Sequence, residues 1–326
     1  ATTPSNIFLF GSFYPHVLAG PIVRWSSWAP QTKHWEAPSF LQLESAVFRI
    51  LLGFTKKKYL ADPCGETVNV FFQDPDLYSA TSAWVAGGLF MIQIWADFSA
   101  YSDIAVGAGR LFGIDLPENF RSPYLATSFT EFWRRWHITL GQWLKDYLYK
   151  PLLKNPTSAA NRCLAILSVT LLSALWHGQT LGFVLWGIWH GVLLCTEKLV
   201  FQLFPLRLAT PRWARWAVVQ CCVLFGWIWF RAPHSSAVLE TWNALRGAGA
   251  GKTLPASFLF ITIAATSLLH TVERWAEKRG GIVDRLKNHQ NAGHLLLGIV
   301  CGILFTLTYL KLSFTAPRSD FIYFRF

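Results

Sequence analysis

"SALWHGQTLGFVLWGIWHG", residues 173–191, is the stretch whose reading decides the chain. It is almost wholly apolar, yet it holds two histidines, His177 and His190, each set between a Trp and a Gly. A run this oily belongs in a bilayer or a helical core. Ionisable groups are costly there, about 2.5–3.5 kcal/mol for an Asp at the centre of a spanning helix, so each imidazole needs either a partner or a task. Gly178, Gln179 and Gly182 follow His177 and predict a helix end, irregular backbone that a membrane tolerates only where protein or a water-filled cavity surrounds it. Trp176 is bulky enough to fix the neighbouring ring. His177 and His190 do not share a helix face, so they meet only through the Gly-containing turn. The plainer alternative is that each is a satisfied packing residue, the usual fate of a single membrane histidine.

The composition extends this reading to the whole chain. Of 326 residues, 52% are hydrophobic, with 17 Trp and 26 Phe, and 14% are charged. An ordinary soluble domain carries about 25% charged residues. Apolar segments near 41–55, 81–113, 163–177, 181–201, 214–230, 256–272 and 293–312 approach the roughly 20 residues that a spanning helix needs. The segment 81–113 is long enough for two helices or one tilted helix. An all-α, polytopic integral membrane protein is expected. Between 115 and 160 the chain is rich in Trp, Tyr and Arg and broken by Pro117, Pro123 and Pro151, which predicts interfacial helices flanking a loop, with Trp133, Trp136 and Trp143 as interface anchors.

The net charge of +11 does not imply nucleic acid, because the basic residues form short clusters between apolar segments, the pattern of loops facing anionic lipid. If 163–177 and 181–201 form a hairpin and each later segment crosses once, the loops 134–162, 198–215 and 273–289 share one side. They hold 15 Lys and Arg, against 3 in 231–252 and 3 near the C-terminus. The positive-inside rule makes the first set cytoplasmic. The six cysteines show no CxxC spacing and read as packing residues. With no fixed-period repeat and no low-complexity linker, one membrane domain over 1–326 is the simplest division. The chain opens ATTPSN without an initiator Met, its one Met is Met91, and no signal-peptide pattern precedes Pro21, so upstream sequence is expected.

Few polar residues interrupt the apolar segments. Asp103 and Arg110 are seven apart on one helical face, and Asp97 and Tyr101 four apart. Such groups either lock helices together or line a polar tunnel. Glu131 is spaced to pair with Arg134 or Arg135. On a cytoplasmic surface Arg134, Arg135, Lys145 and Lys150 would also attract a phosphate-rich donor such as a coenzyme A nucleotide. No third ligand stands at useful spacing from the two histidines, so no metal is expected. A Gly-x-Ser-x-Gly elbow is absent, which argues against an acyl-serine.

"HVLAGPIVRW" (16–25), "DFSAYSDIAVGAGRLFGIDLPENFRSPYLATSFTEFWRRWHITLGQWLKDYLYKPL" (97–152), "ALWHG" (174–178) and "FIYFRF" (321–326) resemble the membrane-bound O-acyltransferase (MBOAT) superfamily. Within it they are most similar to the bacterial AlgI-like branch of alginate O-acetylation, with the D-alanyl transfer proteins of teichoic acid synthesis more distant. The resemblance covers essentially the whole chain, and the central match is its most specific part. It implies a helical rim around a thin core with a tunnel joining cytoplasm and periplasm, in the bacterial inner membrane. Members carry further N-terminal transmembrane helices, which 1–326 would lack. His177 matches the superfamily's active-site histidine, and His137 the second histidine of the bacterial branch. Acetyl-CoA is the implied donor, and a periplasmic SGNH-type acetyltransferase the implied partner in O-acetylating an exopolysaccharide or cell-wall polymer. "LKNPTSAANR" (153–162) replaces the Gly-rich, basic stretch common in alginate-type members, which leaves the acceptor open.

A hydroxyl is a poor nucleophile at neutral pH, and an imidazole kept neutral by burial can take its proton as it attacks a thioester carbonyl. His177 is the expected base, with His137 positioning the donor or polarising its carbonyl, or the two roles exchanged. A rival from another class is a transporter or flippase of an acyl or lipid-linked substrate, in which intramembrane Asp and His relay protons. A third is a structural scaffold for a polysaccharide export complex.

Overall fold

The computed structural model describes residues 3–17, 20–33, 35–153, 158–203, 210–277, 299–307 and 309–310. Among them there is no strand, and a single isolated bridge joins Tyr78 to Lys252. The helices are α1 (Pro4–Ser12), α2 (Tyr14–Val17), α3 (Trp25–Lys33), α4 (Phe40–Lys56), α5 (Asp62–Gln73), α6 (Ala80–Leu111), α7 (Phe129–Arg135), α8 (Ile138–Leu144), α9 (Lys150–Leu152), α10 (Ala159–His177), α11 (Leu181–Leu203), α12 (Arg212–Arg231), α13 (Ser235–Leu245) and α14 (Ala256–Glu277). Residues 299–307 are also helical.

Local chemistry sets several of these boundaries. Ser39 and Gln42 close a reciprocal capping box at the start of α4. The Ser158 side chain accepts from the Asn161 N–H to open α10. Among the described residues, four helices are long and apolar enough to cross a membrane: 159–177, 181–202, 212–231 and 256–274. The expected 41–55 segment is the 17-residue α4. The 81–113 segment is one helix of 32 residues, α6, and its later half carries Asp97, Asp103 and Arg110. Of the expected 293–312 segment, 299–307 and 309–310 are helical, and the rest lies outside the described residues.

The chain divides into two compact units, one from the described residues of 1–62, 94–121 and 271–325, the other from those of 63–93 and 122–270. In the first, α4 and the later half of α6 are joined by buried ion pairs. Arg49 Nε reaches Asp103 Oδ1 at 2.6 Å and Arg49 Nη2 reaches Glu118 at 2.5 Å. Lys56 Nζ lies 2.9 Å from Asp103 Oδ2 and 3.0 Å from Glu273. Lys57 bridges Asp97 at 2.6 Å and Asp62 at 3.0 Å. Asp103 does not pair with Arg110, correcting the shared-face expectation: seven residues of helix span about 10 Å along the axis, and α4 brings two cations much closer. Arg110 pairs instead with Asp115 at 3.1 Å. Of the two readings left open for these charges, the ion pairs favour the helix lock.

The second unit is built on the α10–α11 hairpin, with α12 packed against α11. Here the hairpin expected from the sequence is realised.

Replacing Asp103 by Ala would leave Arg49 and Lys56 short of a buried counter-charge, a defect that costs about 3–5 kcal/mol when a buried pair is broken. Thermal unfolding in detergent should show a clearly lowered Tm. An unchanged Tm would mean that the network does not hold α4 to α6.

Candidate active site

His177 is the last residue of α10, and Gly178 ends the helix by turning to extended backbone. Only glycine fits there, because a Cβ would run into the Phe183 ring. His177 is half-buried and its imidazole is walled by aromatics: Trp176 at 4.8 Å between ring centroids, Phe230 at 5.3 Å, Trp186 at 5.7 Å and Phe183 at 6.4 Å. The helix end that the sequence predicted after His177 is present, and Trp176 does lie edge-on against the ring.

His137 is the second of the two residues between α7 and α8 and is left-handed, with φ 43° and ψ 55°. Few non-glycine residues adopt this conformation, and those that do are held by their surroundings, often at functional sites. It is only 6% exposed, and Trp133 of α7, four residues before it, lies against the same Trp186 ring that walls His177. The fold thus brings the helix that leads into His137 to the aromatic cluster around His177, forty residues further along the sequence.

Two seven-residue helices cannot satisfy their own termini, since each helix end leaves about four backbone groups unpaired. Neighbouring side chains supply the missing partners. Glu197 of α11 accepts the N–H groups of Phe129 at 2.5 Å and Thr130 at 3.2 Å. Ser128 Oγ accepts from Glu131 N at 3.0 Å, and the Glu131 carboxylate accepts from Thr127 N at 2.8 Å. Upstream, Trp216 and Gln220 of α12 donate to the carbonyls of Tyr124 and Ala126, at 2.8 and 3.1 Å. The Tyr124 hydroxyl donates to the Met91 carbonyl, and Ser122, also left-handed, donates to His270 O at 3.2 Å. Burial pushes the Glu131 carboxyl upward, but the Thr127 N–H and the Arg135 guanidinium outweigh it and hold the group below the ordinary carboxylate range.

This segment corrects part of the interfacial expectation. Trp136 is a core residue, 2% exposed and stacked on Phe132 at 5.7 Å, while Trp133 is half-buried and packs edge-on against Trp186 at 5.7 Å and His190 at 5.1 Å. Of the three expected anchors, Trp143 alone is exposed. Glu131 pairs with Arg135 at 2.9 Å. Arg134 and Lys145 are exposed on the elements flanking His137, with no ion pair to either among the described residues.

Residues 3–233 match the MBOAT, membrane-bound O-acyltransferase family. The chain belongs to that family. A probable alginate O-acetylase AlgI of Pseudomonas fluorescens is 34% identical over 245 residues, 74% of this chain and 48% of the relative. A peptidoglycan O-acetyltransferase of Helicobacter pylori is 33% identical over 242 residues, 73% of this chain and 46% of the relative. A teichoic acid D-alanyltransferase of Bacillus subtilis is 27% identical over 205 residues, 58% of this chain and 50% of the relative. The chain spans about half the length of these curated relatives. The multi-pass membrane character read from the sequence agrees with this MBOAT membership and with the four long apolar helices.

Glu197 escaped the sequence reading. Its signal was a carboxylate in the otherwise apolar run "GVLLCTEKLVF", where only Lys198 is also charged. Glu197→Ala should unpair the first N–H groups of α7, at about 1–3 kcal/mol for a buried donor left unsatisfied. Limited proteolysis should then cut faster near residue 129, with Glu197→Gln intermediate. Equal cleavage of all three proteins would mean that α7 does not depend on this carboxylate.

Proposed function

We propose that this chain is the acyl-transferring part of a membrane-bound O-acyltransferase, with His177 as general base and His137 as the group that positions the thioester donor. The observation that carries this reading is the placement of the two histidines: His177 half-buried at a helix end, and His137 buried at a left-handed break after α7, whose Trp133 shares the Trp186 ring with His177. Family membership supports the reaction class, and the relatives named for O-acetylation of alginate and peptidoglycan support a polymer as the final acceptor.

The proposed chemistry is direct. A ring nitrogen of His177 takes the hydroxyl proton as the oxygen attacks the thioester carbonyl carbon. A new C–O bond forms, the C–S bond breaks, and the leaving thiolate recovers the proton from the imidazolium. The aromatic wall of Trp176, Phe183, Trp186 and Phe230 limits the water that reaches the base and so limits hydrolysis of the thioester.

Acetyl-CoA is the donor in this reading, entering on the side of the basic loops, which the positive-inside rule makes the cytoplasmic face of the bacterial inner membrane. Arg134 and Lys145, exposed and without carboxylate partners among the described residues, would meet its phosphates. Arg135 is tied to Glu131 and contributes less. The acceptor hydroxyl comes from the other side, from a sugar or from a periplasmic SGNH-type acetyltransferase that completes delivery.

The test uses the full-length protein in detergent, without a membrane gradient, following thiol release from acetyl-CoA. General-base assistance contributes about 10²–10⁴ in rate, so His177→Ala should lower turnover by at least about a hundredfold. Turnover unaffected by this change would remove the base assignment. Acetyl movement that requires a gradient would favour a transporter.

A further inference from the structure

The reaction above uses two histidines, and the structure buries a third beside them without a partner. His190, in the middle of α11, is 1% exposed, and neither ring nitrogen finds a hydrogen-bond partner among the described residues. Its neighbours share the condition. Trp133, Trp186 and Trp227 pack on its ring at 5.1, 5.4 and 6.2 Å, and all three indole N–H groups are buried and unpaired among the described residues. Leaving one buried donor unsatisfied costs about 1–3 kcal/mol, and native proteins seldom keep several together unless something fills the gap.

The count of donors says what that something is. Three indoles and one imidazole N–H make four donors, against one imidazole lone pair. A water molecule donates as many hydrogen bonds as it accepts and matches this set poorly. A group that only accepts matches it better, although a carbonyl oxygen with two lone pairs answers two of the four donors. Phe132 stacks on His190 at 6.4 Å, and Phe230 meets Trp186 at 5.2 Å and Trp227 at 5.4 Å, so the surroundings are aromatic and carry no counter-charge among these rings. Burying an unpaired anion there would be costly, which leaves a neutral carbonyl.

We propose that His190 and the indole N–H groups of Trp133, Trp186 and Trp227 form a binding site for the carbonyl oxygen of the acyl donor. The proposal rests on the acyl-transfer reading and adds a residue set to it. Trp186 is the shared wall: it touches His190 on one side and His177 at 5.7 Å on the other, so an oxygen held by these donors belongs to a group next to the proposed base. Donors aimed at that oxygen hold the thioester in place and stabilise the negative charge it gains as the hydroxyl attacks. Gly226 of α12 is part of the construction, because a Cβ at that position would stand 2.6 Å from His190 Nε2.

Equilibrium binding to the full-length protein separates the possibilities. The probes are acetyl-CoA and S-ethyl-CoA, a thioether in which a methylene replaces the carbonyl. The wild type should bind the thioester about tenfold or more tightly than the thioether, the equivalent of one good hydrogen bond. His190→Phe should abolish that preference while leaving the thioether affinity unchanged, and Trp227→Phe, which keeps an aromatic ring and loses one donor, should reduce it. Should His190→Phe fail to fold, the carbonyl stretch of ¹³C-labelled acetyl-CoA on the wild type decides, since several hydrogen bonds would move it to lower frequency on binding. No preference in the wild type, a preference that survives both substitutions, or an unshifted stretch each overturns the proposal and leaves the assignment of His177 standing. If the wild type binds neither compound, the choice of donor fails first and this site fails with it.

Discussion

A polar backbone surrounded by apolar helices must have every N–H and C=O answered from within the protein, and the segment 122–137 is where that demand is hardest to meet. It contains a 3₁₀ turn, the seven-residue helix α7 and two left-handed residues, so little of it pairs within itself. The answers come from outside: Glu197 on α11, Trp216 and Gln220 on α12, and the backbone of Met91 and His270. Each of these tethers removes a freedom the segment would otherwise have. His137, at its end, inherits the result as a fixed position.

The same constraint fixes the positions of both histidines. His177 is placed by the end of α10, and that end is set by Gly178 giving way to the Phe183 ring. His137 is placed by α7, which hangs from α11 through Glu197, and α11 is the other arm of the α10 hairpin. One rigid hairpin therefore sets both positions. Sites supported on regular elements hold their geometry better than sites on free loops, and here a broken segment gains that property through tethers to a regular one.

Different parts of this arrangement were legible in the sequence to different degrees, for physical reasons. The long apolar helices could be read because hydropathy over a window of about twenty residues is a local property. The helix end at His177 could be read because glycine announces it. The partners of Asp103 could not, since Arg49 and Lys56 lie on a different helix and periodicity within α6 pointed to Arg110. The packing of Trp133 and the burial of Trp136 were misread for a related reason: Trp and Arg together are the composition of a membrane interface, and only tertiary packing tells an anchor from an inward-packed ring. His137 stood out through family resemblance alone. Nothing local distinguishes a left-handed histidine between two short helices from one on an interfacial helix.

His190 shows how far the opening stretch could carry the reading. Both of its histidines sit between Trp and Gly, and by sequence they are near equivalents, yet the fold gives them opposite surroundings. One ends its helix half-buried, and the other lies buried mid-helix among three indoles. The difference follows from the glycines. Gly178 breaks α10, so the backbone turns away after the first ring. Gly191 lies inside α11 and breaks nothing, while Gly226 on the facing helix lets α12 close over the second ring. A general base must reach a reactant that comes and goes, whereas donors that recognise an oxygen work best when water is kept out. Two copies of one short motif thus supply a half-buried imidazole and a fully buried one.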